Sequence, residues 1–319
     1  MENTVLLTYI GGGLVLLFAG GEALLRGSVS IAHKLGLSTL LVSMVVVGFG
    51  TSAPELLVSL SSAYKGAPNI ALGNVVGSNI ANILLILGLS AVFSPIVCTR
   101  FEIRRDSLAV VLASIVLVAL SLAGLIGRVS GIAMVAALVT YLAYAFVTDR
   151  NRENGFRERI EKDVGKKDVP FGWAVVFCVA GLTALAAGAH YLVEGATALA
   201  ERFGVPNAVI GLTLVAVGTS LPELATAIVS AIRKHADVVI GNVIGSNLFN
   251  ILGILGITGA IFPIPFAGRI AEVDVWIMLI VAILLAPVIW TGRLISRFEG
   301  LAFVALYAVY IIWIYSVGV

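Results

Sequence analysis

"GFGTSAPEL" (Gly48–Leu56) follows the apolar run Leu40–Val47 and places two hydroxyls, a proline and a carboxylate within five residues. A variant returns as "AVGTSLPEL" (Ala216–Leu224), at an offset of 168. Both copies lie in apolar surroundings, so a glutamate enters hydrocarbon twice. Of 319 residues, 60% are hydrophobic and 12% charged, against about 25% charged in an ordinary soluble domain. Long apolar stretches succeed one another with short polar breaks, the pattern of a polytopic helical membrane protein. The longest break, Thr148–Val169, is too short to hide a soluble domain.

At about 20 apolar residues per span, the chain predicts ten helices. Their cores are 5–25, 39–62, 69–94, 107–126, 129–148, 171–195, 207–231, 238–262, 273–291 and 300–318. The first has no basic n-region and no small-residue cleavage site, so it reads as a retained span. Ten spans put both termini on one side. With that side outside, 16 of the 20 Lys and Arg residues fall in inside loops, and only Lys65, Arg128, Arg202 and Arg269 fall outside. The asymmetry predicts external termini in a cell membrane and a cytoplasmic basic linker over 149–169. The net charge of +2 carries little by comparison. Cys98 and Cys178 lie near span ends without metal-ligand spacing and read as apolar filler.

The repeat organises the whole chain. "GNVVGSNIANILLILGL" (Gly73–Leu89) matches "GNVIGSNLFNILGILGI" (Gly241–Ile257) in the same register as the opening motif. Gly13, Gly20, Gly27, Gly36 and Pro95 keep it too, against Gly181, Gly188, Gly195, Gly204 and Pro263. The expected organisation is a first five-helix repeat over 1–148, the linker 149–169, and a second repeat over 170–319. Five spans is an odd number, so the second unit enters the membrane inverted. Inverted repeats place a site at their interface near the midplane, on broken helices.

Pro54 and Pro222 have no N–H and clash with the carbonyls of Gly50 and Gly218. Such freed backbone is tolerated at membrane depth only where protein or a polar cavity receives it. On a helix, Thr51 and Ser52 share a face with Glu55, as do Thr219 and Ser220 with Glu223. All these donors are hard oxygens, suited to Na⁺ or Ca²⁺ and not to a soft metal. A charge at the centre of a membrane helix costs about 2.5–3.5 kcal/mol on insertion scales, and one Ca²⁺ between two glutamates cancels both charges. The structural alternative is a pair of protonated, hydrogen-bonded glutamates.

In the second motif the glycines Gly73, Gly77, Gly241 and Gly245 form small-xxx-small patterns for close helix approach. Ser78 and Asn82 share a face, as do Ser246 and Asn250, and these four read as ion-facing. Asn74, Asn79, Asn242 and Asn247 read as caps or interhelical ties. Glu22 and Arg26 read as a local pair, with no ionisable pattern retained at His190 and Glu194. Asp106, Asp149, Glu272 and Asp274 fall at span ends, where carboxylates need no special account.

Two copies of a "G-[TS]-S-x-P-E" span followed by a "G-N-x-x-G-S-N" span resemble the cation/calcium exchanger superfamily, most closely its prokaryotic sodium/calcium exchanger branch. The resemblance implies an all-α membrane protein of ten helices in two inverted repeats. In it the first and sixth helices slide against the other eight, exchanging about three Na⁺ for one Ca²⁺ by alternating access. It also implies a Ca²⁺ site of the Glu55 and Glu223 carboxylates with the Thr51 and Thr219 carbonyls. One flanking Na⁺ site would use Gly48, Thr51, Ser52 and Ser78, and the other Ala216, Thr219, Ser220 and Ser246. A central site would use Glu55, Glu223, Asn82 and Asn250. The best-known pattern has an Asp in one of the last two places, whereas here both are amides.

That departure leaves the counter-ion open between Na⁺ and H⁺, with a Ca²⁺/H⁺ or broader divalent-cation antiporter as the alternative. An intramembrane hydrolase would want Arg, Lys or His beside the glutamates to hold phosphate, and neither motif supplies one. A passive channel fits two tightly binding charged sites poorly. No enzyme activity, cofactor or nucleic-acid partner is expected. The ligands are Ca²⁺ and Na⁺, the surroundings are lipid bilayer, and a monomer suffices.

Overall fold

Apolar runs with no lasting polar face leave the backbone to satisfy itself, and in this chain they become helices. The computed structural model describes residues 3–97, 101–151, 169–202, 216–287 and 294–317. In chain order its helices are α1 (Asn3–Leu35), α2 (Thr39–Thr51), α3 (Ala53–Tyr64), α4 (Pro68–Phe93), α5 (Phe101–Ala123) and α6 (Arg128–Asn151). They continue as α7 (Phe171–Arg202), α8 (Ala216–Thr219), α9 (Leu221–Ile232), α10 (Ala236–Ile261), α11 (Val275–Pro287) and α12 (Arg297–Val317). Among the described residues seven helices are long and apolar enough to cross a membrane, or eight with α2 and α3 counted as one span bent by 44°. The expected span 207–231 begins in residues outside those described, as the span 273–291 ends in them. Most of the linker 149–169, Gly204 and Cys98 also lie outside.

The elements recur at the register of the motifs. α3 runs from 53 to 64 and α9 from 221 to 232, each preceded by a serine that breaks the helix. Among the described residues, four two-residue strands close the ends: β1 (Ile96–Val97), β2 (Leu125–Ile126), β3 (Ile264–Pro265) and β4 (Leu294–Ile295). β1 pairs antiparallel with β4 and β2 with β3, so each pairing joins the first half of the chain to the second.

α1 and α7 pack against each other along their length. A methyl group on Gly20 would lie 2.9 Å from the Gly181 carbonyl oxygen, and one on Gly13 would lie 2.9 Å from that of Gly188. The order of these contacts makes the two helices antiparallel. Glycines seven residues apart therefore let two backbones touch, the close approach small residues give membrane helices. Cys178, buried and free, fills the same contact beside Gly27.

α4 and α10 form the centre: 78% and 94% of their most apolar windows are buried, against 22% in α6 and 11% in α12. This is why both carry polar motifs without exposing them to lipid. Both also contain a π-turn, Asn82–Leu87 in α4 and Phe249–Ile254 in α10, and α2 contains another at Ser43–Gly48. Phe49 of α2 stacks on Phe249 of α10 with ring centroids 4.5 Å apart.

Three readings of single residues change. Glu22 pairs with Arg26 at 2.8 Å as expected, but also with Arg233 at 2.8 Å, tying α1 to the end of α9. His190 and Glu194 do retain an i,i+4 pair, at 3.4 Å. Glu272 is exposed, yet Asp106, Asp149 and Asp274 are 0%, 8% and 3% exposed and each is paired. The apolar flanks hid how far these span ends are covered by neighbouring helices.

Candidate ion-binding site

Pro54 and Pro222 sit in the first turn of α3 and α9, where a missing N–H costs nothing. The residue that breaks each helix is the serine two before it: Ser52 has φ −82°, ψ 9° and Ser220 has φ −91°, ψ 5°. These are bridge-region values. Each break turns the chain so that the glutamate one turn later enters the protein interior. Glu55 is 1% exposed and Glu223 2%.

The two breaks meet. Ser52 Oγ donates to Glu223 Oε1 at 2.9 Å, and Ser220 Oγ donates to Glu55 Oε1 at 3.2 Å. Each carboxylate is thus held by the hydroxyl of the other half. The second oxygen of each, Oε2, is buried with no hydrogen-bond partner. Asn82 and Asn250 are equally buried, and neither the oxygen nor the nitrogen of either amide has a partner. The π-turn holding Asn82 packs against α9, and the one holding Asn250 packs against α3. Each buried polar group left unpaired costs about 1–3 kcal/mol, and six such atoms gathered on four residues argue for a ligand.

The neighbouring asparagines are supports. Asn74 Nδ2 donates to the Glu55 carbonyl at 3.1 Å, and Asn242 Nδ2 to that of Glu223, also at 3.1 Å. These are the interhelical ties expected of them, and they fix the backbone on which each carboxylate stands. Asn79 and Asn247 differ from expectation: each donates to a carbonyl of its own helix, Val75 and Val243, at 2.7 Å. They join no helices.

Two contacts join flanking oxygens across the sets the resemblance implied. Ser246 Oγ donates to the Gly48 carbonyl at 3.1 Å, and Ser78 Oγ lies 3.5 Å from Ser220 Oγ. Ser246 thus meets Gly48, and Ser78 meets Ser220, each a residue of the other implied set. The reason is that α2 crosses α10, not α4. A methyl group on Gly48 would lie 2.8 Å from the Ser246 nitrogen. Thr51 Oγ1 donates to its own Val47 carbonyl at 2.9 Å and lies 3.4 Å from Asn242 Oδ1. Thr219 is half-buried at the end of α8, the helix that Ala216 begins. A cavity of about 360 Å³ reaches this second group, lined by Asn74, Gly77, Ser78, Ser220, Asp274 and Tyr310 among others.

The atoms here that can ligate a cation are oxygens, with carboxylates from Glu55 and Glu223 among them, and such a set suits hard cations that want six to eight oxygens. The π-turns that carry Asn82 and Asn250 had no sequence signal, although such turns are frequent at functional sites.

The description "sodium/calcium exchanger protein" belongs to the family whose profile matches residues 5–147 and 173–316. The chain is 33% identical over 293 residues to the putative antiporter CaxA of Alkalimonas amylolytica, covering 90% of this chain and 92% of that one. It is 30% identical to the sodium/calcium exchanger MaX1 of Methanosarcina acetivorans, covering 96% and 97%. Its structure superposes on the sodium-calcium exchanger NCX_Mj soaked with zero Na⁺ and Ca²⁺ with a TM-score of 0.84. That match has 32% identity and covers 97% of this chain and 99% of that one. A likeness that runs through both halves at this level makes the chain a member of the sodium/calcium exchanger family of membrane antiporters.

Proposed function

We propose that the protein exchanges Na⁺ for Ca²⁺ by alternating access, with Ca²⁺ held between Glu55 and Glu223. The observation that carries this reading is the reciprocal pair of bonds, Ser52 to Glu223 and Ser220 to Glu55, which leaves Oε2 of both carboxylates buried and unpartnered. Two carboxylates out of water are costly, and a divalent cation offsets both charges at once. Two Na⁺ neutralise the same pair, so the ions compete for it. Further Na⁺ would use the hydroxyl groups around Gly48 and Ser246 and around Ser78 and Ser220, leaving Asn82 and Asn250 to water.

The ten-span reading accompanies this one. The units 1–148 and 170–319 insert in opposite orientations, with 149–169 in the cytoplasm, both termini outside and the monomer functional. The antiparallel contact of α1 with α7, equivalent helices of the two units, supports the inversion. The basic-residue asymmetry supports the orientation.

Proton coupling is the second reading, favoured by amides at both 82 and 250, which leave two carboxylates where the resemblance implies three. The decisive measurement is ⁴⁵Ca²⁺ uptake into proteoliposomes under an imposed Na⁺ or pH gradient. Uptake driven by Na⁺ and indifferent to the pH gradient is expected. Uptake driven by pH and indifferent to Na⁺ establishes the second reading in its place.

A further inference from the structure

A second duplicated constellation lies away from the glutamates. Asp106 on α5 accepts a hydrogen bond from Tyr141 on α6 at 2.6 Å, and Asp274 accepts one from Tyr310 on α12 at 3.2 Å. The aspartates are 168 residues apart and the tyrosines, on the equivalent helices α6 and α12, 169 apart, and each pair has an arginine. Arg105 Nε lies 2.5 Å from Asp106 Oδ1, and Arg269 Nε lies 3.2 Å from Asp274 Oδ2.

There the likeness ends. Arg105 Nη1 also reaches Asp149 Oδ1 at 3.5 Å, and Asp149 Oδ2 accepts a hydrogen bond from Ser38 Oγ. Ser38 is the N-cap of α2, with extended backbone (φ −62°, ψ 139°) and a hydroxyl that accepts from the Leu41 N–H at 3.1 Å. A buried polar chain thus runs from α5 and α6 into the first turn of α2, whose other end carries Gly48 and Thr51. In the sequence, Pro206 and Val273 align with Ser38 and Arg105 at the offset of 168, and Gly318 aligns with Asp149 at the offset of 169 that aligns Tyr310 with Tyr141. None of those side chains can extend such a chain. Arg269, Asp274 and Tyr310 instead line the cavity that reaches Ser78 and Ser220.

We propose that Ser38, Arg105 and Asp149 form a one-sided clamp: they are positioning residues that hold the start of α2, and through it the Thr51–Ser52 end of the ion site. The clamp keeps the α2 side of the exchanger closed while ions enter through the cavity on the Asp274 side. Its functional part rests on the assignment of ions to Glu55 and Glu223. Charge-assisted bonds are roughly twice as strong as neutral ones, and removing one member of a buried network strands the rest. Releasing the clamp depletes the state that takes ions from the cavity, and apparent affinity falls with that population.

The test uses the full chain with Ser38→Ala and Asp149→Asn, and with Ser38→Thr as the conservative variant. Hydrogen exchange of the peptide covering 39–48, measured without Ca²⁺, is expected to accelerate about fivefold in the first two, the size of one lost helix cap. The Ca²⁺ KM for uptake is expected to rise by about the same factor at a little-changed maximal rate per folded molecule. Ser38→Thr keeps both hydrogen bonds and is expected to restore both readouts to within about twofold of wild type. Should Ser38→Ala or Asp149→Asn fail to fold, a Ser38→Thr variant that exchanges and transports like Ser38→Ala is expected to do would overturn the clamp. Wild-type exchange across 39–48 overturns it, and so does faster exchange with an unchanged KM, because α2 would then be held without consequence for ions. If Glu55→Gln and Glu223→Gln retain uptake, the ion-site assignment fails by itself, while exchange at 39–48 still judges whether α2 is clamped.

Discussion

Gly241 and Gly245 of α10 and Gly73 and Gly77 of α4 are the same residues of one repeated motif, yet they meet different surroundings. A methyl group on Gly245 would lie 2.3 Å from the Met44 carbonyl oxygen, and one on Gly241 would lie 2.6 Å from that of Leu40. Among the described residues, one on Gly77 would meet nothing within 4 Å and one on Gly73 only the tip of Ile270, at 3.2 Å. On α10 the glycines bring two backbones into contact. On α4 they leave room for the cavity that reaches Ser78 and Ser220. Two halves built alike and packed unlike suit the alternating access proposed above: one sequence pattern serves a closed contact and an open one.

The halves should behave alike where they meet. Glu55→Gln and Glu223→Gln each leave a bound divalent ion with half its countercharge in a poorly solvated site, at a cost of several kcal/mol. Ca²⁺ affinity, read by equilibrium binding, is expected to fall at least about a hundredfold in both variants. Near-normal uptake by either one would show its carboxylate to be structural and break the equivalence of the halves.

The glycines should separate the halves. Gly245→Ala forces α2 away from α10 and is expected to cost about 1–3 kcal/mol of stability in detergent, as overpacking does. Gly77→Ala is expected to be neutral or to stabilise by up to about 1 kcal/mol, because alanine favours a helix. Equal melting temperatures for the two variants would erase the difference between the α4 and α10 contacts.

The smallest effect concerns the amides. Asn250→Asp adds a third carboxylate for which protons and cations compete. Its Ca²⁺ uptake is therefore expected to fall by about threefold between pH 8 and pH 5, relative to wild type over the same range. A variant that tracks wild type would show position 250 to be uncoupled from the ions.

Much of the site was legible because the membrane makes polarity expensive. In an apolar chain Glu55, Glu223, Ser52, Ser220, Asn82 and Asn250 stand out by type alone, and the offset of 168 doubles each signal. The breaks before Glu55 and Glu223 follow from the prolines, although the structure puts them at Ser52 and Ser220. Asp106, Asp149 and Asp274 were misread for the opposite reason. Position near a span end says that water is close along the chain, and it does not say which helix lies across from the side chain.

Sequence alone determined the membrane class, the repeat and the oxygen-rich character of the site, because each depends on composition, periodicity and the local chemistry of proline and glycine. Tertiary structure decided who faces whom. That Ser52 holds Glu223, that Ser246 lies against Gly48, and that Ser38 reaches the buried Asp149 on α6 are consequences of helix crossings. Crossings are set by which surfaces pack most closely over the whole bundle, and no window of the chain contains that sum.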